Sequence, residues 1–105
     1  MAYDLVVGRG SKVKDAAHIV GGIEFGELPA ILRLLERVDS SFVRRISNLF
    51  EDQAFSVAEI EQVLPQLLPL LTLNLRPDEE ALLHKLISVL SYAKWKQLGL
   101  YGIAD

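Results

Sequence analysis

The sequence predicts an α+β fold, mainly α: an N-terminal β-hairpin packed on a bundle of about four helices. Two short β-prone runs stand at the start, Tyr3 to Val7 and Ile19 to Phe25. From Pro29 onward the apolar residues recur at helical spacing rather than in alternation. Prolines and a serine–glutamate capping pattern punctuate that stretch at helix starts.

The hairpin comes first. Tyr3 to Val7 is closed by Gly8-Arg9-Gly10, and Ile19 to Phe25 is interrupted by Gly21-Gly22. Between them Ser11 to His18 is polar and without period, a long loop. The glycine pair marks a bulge or turn. A lone hairpin is marginal in water, so this one must pack on the helices.

The first helix opens at Pro29 and carries Ile31, Leu34, Leu35 and Val38 on one face. Asp39-Ser40-Ser41 interrupts it and supplies N-caps. The second helix places Phe42, Val43, Ile46, Leu49 and Phe50 on its apolar face, with Arg44, Arg45 and Asn48 opposite. The third opens with the capping box Ser56-Val57-Ala58-Glu59. Its leucines crowd from Leu64 to Leu75 on all sides, so it is buried on most faces or keeps one for a partner. Pro65 and Pro69 each remove an amide donor, and a kink or break is expected there. The fourth and longest helix opens at Pro77, with Asp78, Glu79 and Glu80 complementing its dipole. Leu82, Leu83, Leu86, Ile87, Leu90 and Ala93 form its core face, and Gly99 is the expected stop. The tail from Leu100 to Asp105 is apolar enough to pack back on the body.

At 105 residues the chain has the length of one domain, 1–105. Its 50% hydrophobic and 24% charged content is that of a globular chain, not a disordered one. With no cysteine there are no disulfides, thiolate metal sites or cysteine nucleophiles, which fits the cytoplasm. The start has no basic residue before its short apolar run, unlike a signal peptide. The longest uncharged run, Gln62 to Leu75, holds two prolines and falls short of the roughly 20 apolar residues of a membrane helix.

Charge is distributed unevenly. Met1 to Asn48 is net +1 and Ala81 to Asp105 net +2, while Leu49 to Glu80 holds seven acids against Arg76 alone, net −6. A duplex-binding domain shows the reverse, a basic stripe. Arg33, Arg37, Arg44 and Arg45 have acids among them and no interleaved aromatics, so surface ion pairing is their expected use. The candidate partner-binding residues are therefore the acids of the middle third: Glu51, Asp52, Glu59, Glu61, Asp78, Glu79 and Glu80. Acidic patches steer basic partners.

Chemistry-bearing patterns are weak. Gly8-Arg9-Gly10 lacks the third glycine of a dinucleotide fingerprint, since Val13 stands in its place. His18 and His84 are the only histidines, and neither sits in a metal-ligand motif. His84, Ser88, Ser91 and Trp95 share a helical stripe, but a serine in a regular helix face brings no oxyanion donors. We therefore expect no catalytic residues, no metal and no cofactor.

Four stretches carry a resemblance: Tyr3-Asp4-Leu5-Val6-Val7-Gly8, Ile23-Glu24-Phe25 followed by Glu27-Leu28-Pro29, Ser47-Asn48-Leu49-Phe50-Glu51-Asp52, and the end from Gly99 to Asp105. On these the chain resembles bacterial immunity proteins, and among them it is most similar to the partners of contact-dependent growth-inhibition toxins. The resemblance implies a non-enzymatic protein that binds a cognate toxin domain, often a nuclease, and occludes its active or substrate-binding surface. It brings no defined binding residues with it. The expected partner is a protein, with no nucleic acid and no membrane, and the chain itself is a monomer or homodimer. The alternative is a small dimeric secretion chaperone or helical adaptor, with Leu64 to Leu75 as dimer seam or client groove.

Overall fold

The computed structural model describes residues 2–15 and 17–104. The architecture is α+β and mainly helical, with the N-terminal hairpin built into a larger sheet. The hairpin consists of β1 (Ala2–Gly8) and β2 (His18–Glu24), paired antiparallel. Leu5 faces Gly21 but Val6 faces Ile19, so the register slips by one residue and Val20 has no partner across the ladder. This is the bulge expected beside the glycine pair. Gly8 closes the strand where a Cβ would come within 2.8 Å of the Ala17 backbone, a close approach that only glycine allows.

The sheet has four strands, not two. The expected tail is β4 (Gly99–Ile103), which pairs antiparallel with β1, Leu5 opposite Gly102 and Val7 opposite Leu100. On the far side of β4 lies β3 (Gln53–Phe55), also antiparallel, giving the order β2-β1-β4-β3. The C-terminal segment therefore does more than pack back on the body. It is a central strand that ties the last residues to the first. Asp105, the end of the expected tail, and Ala16, in the expected loop, lie outside the described residues.

Four helices follow the expected order: α1 (Leu28–Arg37), α2 (Ser41–Ile46), α3 (Val57–Leu67) and α4 (Pro77–Lys96). Pro29 and Pro77 stand in the first turns of α1 and α4. The Ser40 side chain is buried and accepts the Val43 N–H as the N-cap of α2. The Ser56–Glu59 capping box forms in both directions. The proline-containing segment splits as expected. Pro65 lies in the last turns of α3, and from Leu68 to Thr72 the chain tightens into a 3-10 turn opened by Pro69.

Two helix ends differ from expectation. α2 stops at Ile46, so Leu49 and Phe50 fall in the turn beyond it and part company: Leu49 is buried and Phe50 is not. α4 ends through Gln97, whose φ of 56° makes it a left-handed cap. Its N–H returns to Ala93 and Lys94, and Gly99 is left free to begin β4.

Alternation along β1 sends Tyr3, Leu5 and Val7 into one core with Ile23, Phe55 and Leu100. The helices close that core through Ile31 and Leu34, Phe42 and Ile46, Ile60 and Leu67, and Leu82, Leu83, Leu86 and Leu90. Ile87, expected on this face, is only partly buried, and Val89 takes a core position instead. Gly102 is required where the Tyr3 ring crosses β4, since a Cβ there would overlap that ring. Among the described residues no helix is long and apolar enough to cross a membrane.

Candidate partner-binding surface

The acids of the middle third divide into two groups. Glu79 is buried and belongs to the framework. Its Oε1 accepts the Arg76 N–H at 3.1 Å, closing the first turn of α4, and also takes Arg37 Nη2 at 3.2 Å. Its Oε2 takes Arg33 Nε at 2.9 Å. The Arg76 amide, followed by the two guanidinium groups, holds its carboxyl below the usual carboxylate range against the opposing effect of burial. This corrects the expectation that Glu79 meets a partner: no part of its carboxylate is free to do so.

Asp78 and Glu59 are also ion-paired, but their side chains stay 57% and 44% exposed. Arg33 pairs with Asp78 and holds its carboxyl low. Arg45 binds Glu59 at 2.7 Å, Gln53 at 3.0 Å and the Ala54 carbonyl at 2.7 Å, with its guanidinium 4.2 Å from the centre of the Phe55 ring. One arginine thus ties α2, β3 and α3 together. Arg44 pairs with Asp39 at 2.8 Å on the surface. The arginines are ion-paired, as their surroundings in sequence suggested. Three of them reach across the fold into the acidic block and neutralise part of it.

Glu51, Asp52, Glu61 and Glu80 remain. All four are exposed, and none forms an ion pair among the described residues. Glu51 and Asp52 sit in a turn held from three sides. Asn48 accepts the Phe50 and Glu51 N–H groups through its side chain and carbonyl, each at 3.3 Å. The Tyr3 hydroxyl donates to the Glu51 carbonyl at 3.0 Å. Asp52 Oδ1 accepts the Ala104 N–H at 2.7 Å, pinning the end of β4. Burial, followed by the nearby Asp52 carboxylate, raises the Tyr3 hydroxyl to about 12, so it stays a donor.

This turn presents Phe50 to solvent, 79% exposed and stacked on Phe25 with centroids 5.5 Å apart. Helical spacing alone places Phe50 on the apolar face of α2. The early stop of that helix turns it outward, and the adjoining Glu51-Asp52 pair was the available clue. Trp95, on the helical stripe with His84, Ser88 and Ser91, is the second large exposed aromatic, at 74%.

The His84–Ser88 stripe is exposed along α4, with no hydrogen bond between the two side chains among the described residues. No group of three His, Asp or Glu side chains placed to hold a metal occurs among the described residues. Comparison with family models, with curated proteins and with solved structures gives no match.

Proposed function

We propose that this protein is a cytoplasmic, non-enzymatic binding protein of the immunity type, which neutralises a cognate bacterial toxin domain by covering a basic active or substrate-binding surface. The observation that carries this reading is the turn at residues 48–52. It sets an exposed phenylalanine beside two exposed carboxylates on a segment braced by Tyr3, Asn48 and Ala104.

Each part has a physical role. Exposed carboxylates facing a basic surface speed diffusional encounter and disfavour acidic competitors. A nuclease domain carries such a basic surface, because it must approach phosphates. An aromatic side chain that is buried on docking anchors the complex. The bracing bonds hold the aromatic ring in place before contact, so less ordering is lost on binding. Glu61 of α3 and Glu80 of α4 add two further exposed carboxylates to the surface.

The test is genetic and biochemical. The reading frame immediately upstream should specify a large protein ending in a variable toxin domain. That domain should copurify with this protein and should be harmless to cells that contain it. An upstream metabolic enzyme with no affinity for this protein would overturn the reading.

A further inference from the structure

A second surface lies where the 3-10 turn after α3 meets the end of α4. Leu64, Pro65 and Leu68 form one side of a groove of about 610 Å³, and Lys94, Trp95 and Gln97 form the other. Its apolar parts are open to solvent: Leu68 is 46% exposed and Trp95 74%. The two prolines shape it by ending α3 and forcing the tighter turn that sets Leu68 outward. Lys96 lies over the Trp95 ring, its ammonium 4.7 Å from the centroid. Neither Lys94 nor Lys96 has a carboxylate partner among the described residues.

We propose that this groove docks an acidic amphipathic helix of a partner protein. An open groove whose apolar lining is Leu64, Pro65, Leu68 and Trp95 fits the apolar stripe of a helix. Lys94 in its wall and Lys96 over the Trp95 ring match acids flanking that stripe. A second copy of this chain is the poorer occupant. An isologous contact through the groove would bring both lysine pairs into one interface, with like charges facing. A membrane surface is also poorer, because two lysines fall short of the four to eight basic residues or so that anionic lipid recognition uses.

Trp95 is the only tryptophan in the chain, so its emission reports on the groove directly. The probe is an 18-residue helical peptide, leucine at positions i, i+3, i+4 and i+7 of each repeat and glutamate at most others, beside a second peptide with lysine for glutamate. The acidic peptide should give a saturable blue shift and bind about ten times more tightly than the basic one. Lys94→Glu combined with Lys96→Glu should reverse that order, and Leu68→Glu should abolish the shift while circular dichroism stays that of the parent. Lys12→Glu, in the exposed loop between β1 and β2, should leave it unchanged. Equal binding of the two peptides, or no shift with either, would overturn the proposal. So would a blue shift that grows with protein concentration alone, or one given as strongly by phosphatidylglycerol vesicles as by the acidic peptide.

Discussion

Arg33 of α1 donates through Nε to Oε2 of Glu79 in α4 at 2.9 Å, a link between residues 46 positions apart. With Arg37 on the other oxygen and the Arg76 amide behind it, the Glu79 carboxylate clamps the first turn of α4 to the last turns of α1. Glu79→Ala should therefore destabilise the fold by about 2 kcal/mol, through loss of its charge-assisted hydrogen bonds to two arginines and of the Arg76 amide's acceptor. Urea unfolding measures it, and an unchanged midpoint would show the clamp to be idle.

The same carboxylate makes stability depend on pH. Its folded pKa lies below the ordinary carboxylate value of 4.5. Its contribution is therefore complete above that value and is lost as pH falls through the lower, folded one. The unfolding midpoint of the parent should drop as pH falls below 4.5. In Glu79→Gln, which keeps an acceptor but cannot titrate, that drop should be visibly smaller. Parallel profiles would remove Glu79 from the acid response.

At the alkaline end the relevant group is Tyr3. Its hydroxyl is raised to about 12 from 10.0, so the unfolded chain loses this proton first. The stability it contributes is present below pH 10 and is lost as pH rises towards 12. Tyr3→Phe should flatten that decline and free the Glu51 carbonyl. Gly102→Ala attacks the same place from β4, where the new methyl group would overlap the Tyr3 ring. Overpacking of this kind costs about 1–3 kcal/mol, and a thermal midpoint equal to the parent's would show that the ring can move aside.

Ser56→Ala removes the N-cap of α3. The serine Oγ accepts the Glu59 N–H at 3.2 Å, and the Glu59 carboxylate returns to the Ser56 N–H at 3.3 Å. A cost of about 1 kcal/mol is expected. Because Arg45 continues to hold Glu59, the loss should remain local, read as faster amide exchange in the first turn of α3 and not in α4.

What was readable in the sequence was what depends on neighbours along the chain. Pro29, Pro77 and the Ser56–Glu59 pair act within one turn, and the periodicity of α1 and α4 belongs to a single element. β3 and β4 were not readable as strands. Gln53–Phe55 is too short to show alternation, and Gly99–Ile103 becomes a strand through partners in β1 more than ninety positions away. The acidic block was visible as charge but not as structure. Nothing in Asp78-Glu79-Glu80 beyond helix-start chemistry shows that Arg33 and Arg37 will bury Glu79 and leave Glu80 in solvent. Phe50 was misassigned because periodicity says where a helix face lies but not that the helix stops four residues earlier.

Stopped-flow association of this protein with its toxin domain across ionic strength reports directly on whether the turn at residues 48–52 forms the interface. Asp52 is best left intact, because it also holds the Ala104 amide. Glu51→Lys with Glu61→Lys should slow association at low salt about ten-fold or more and flatten its salt dependence. Exposed charge changes of this kind cost less than about 0.5 kcal/mol in stability, so folding is the control. Phe50→Ala should associate at nearly the parent rate and dissociate about thirty times faster, as expected for a contact contributing about 2 kcal/mol. Parent-like association of the double variant at low salt, together with parent-like dissociation of Phe50→Ala, would contradict the account and remove the turn at residues 48–52 from the interface.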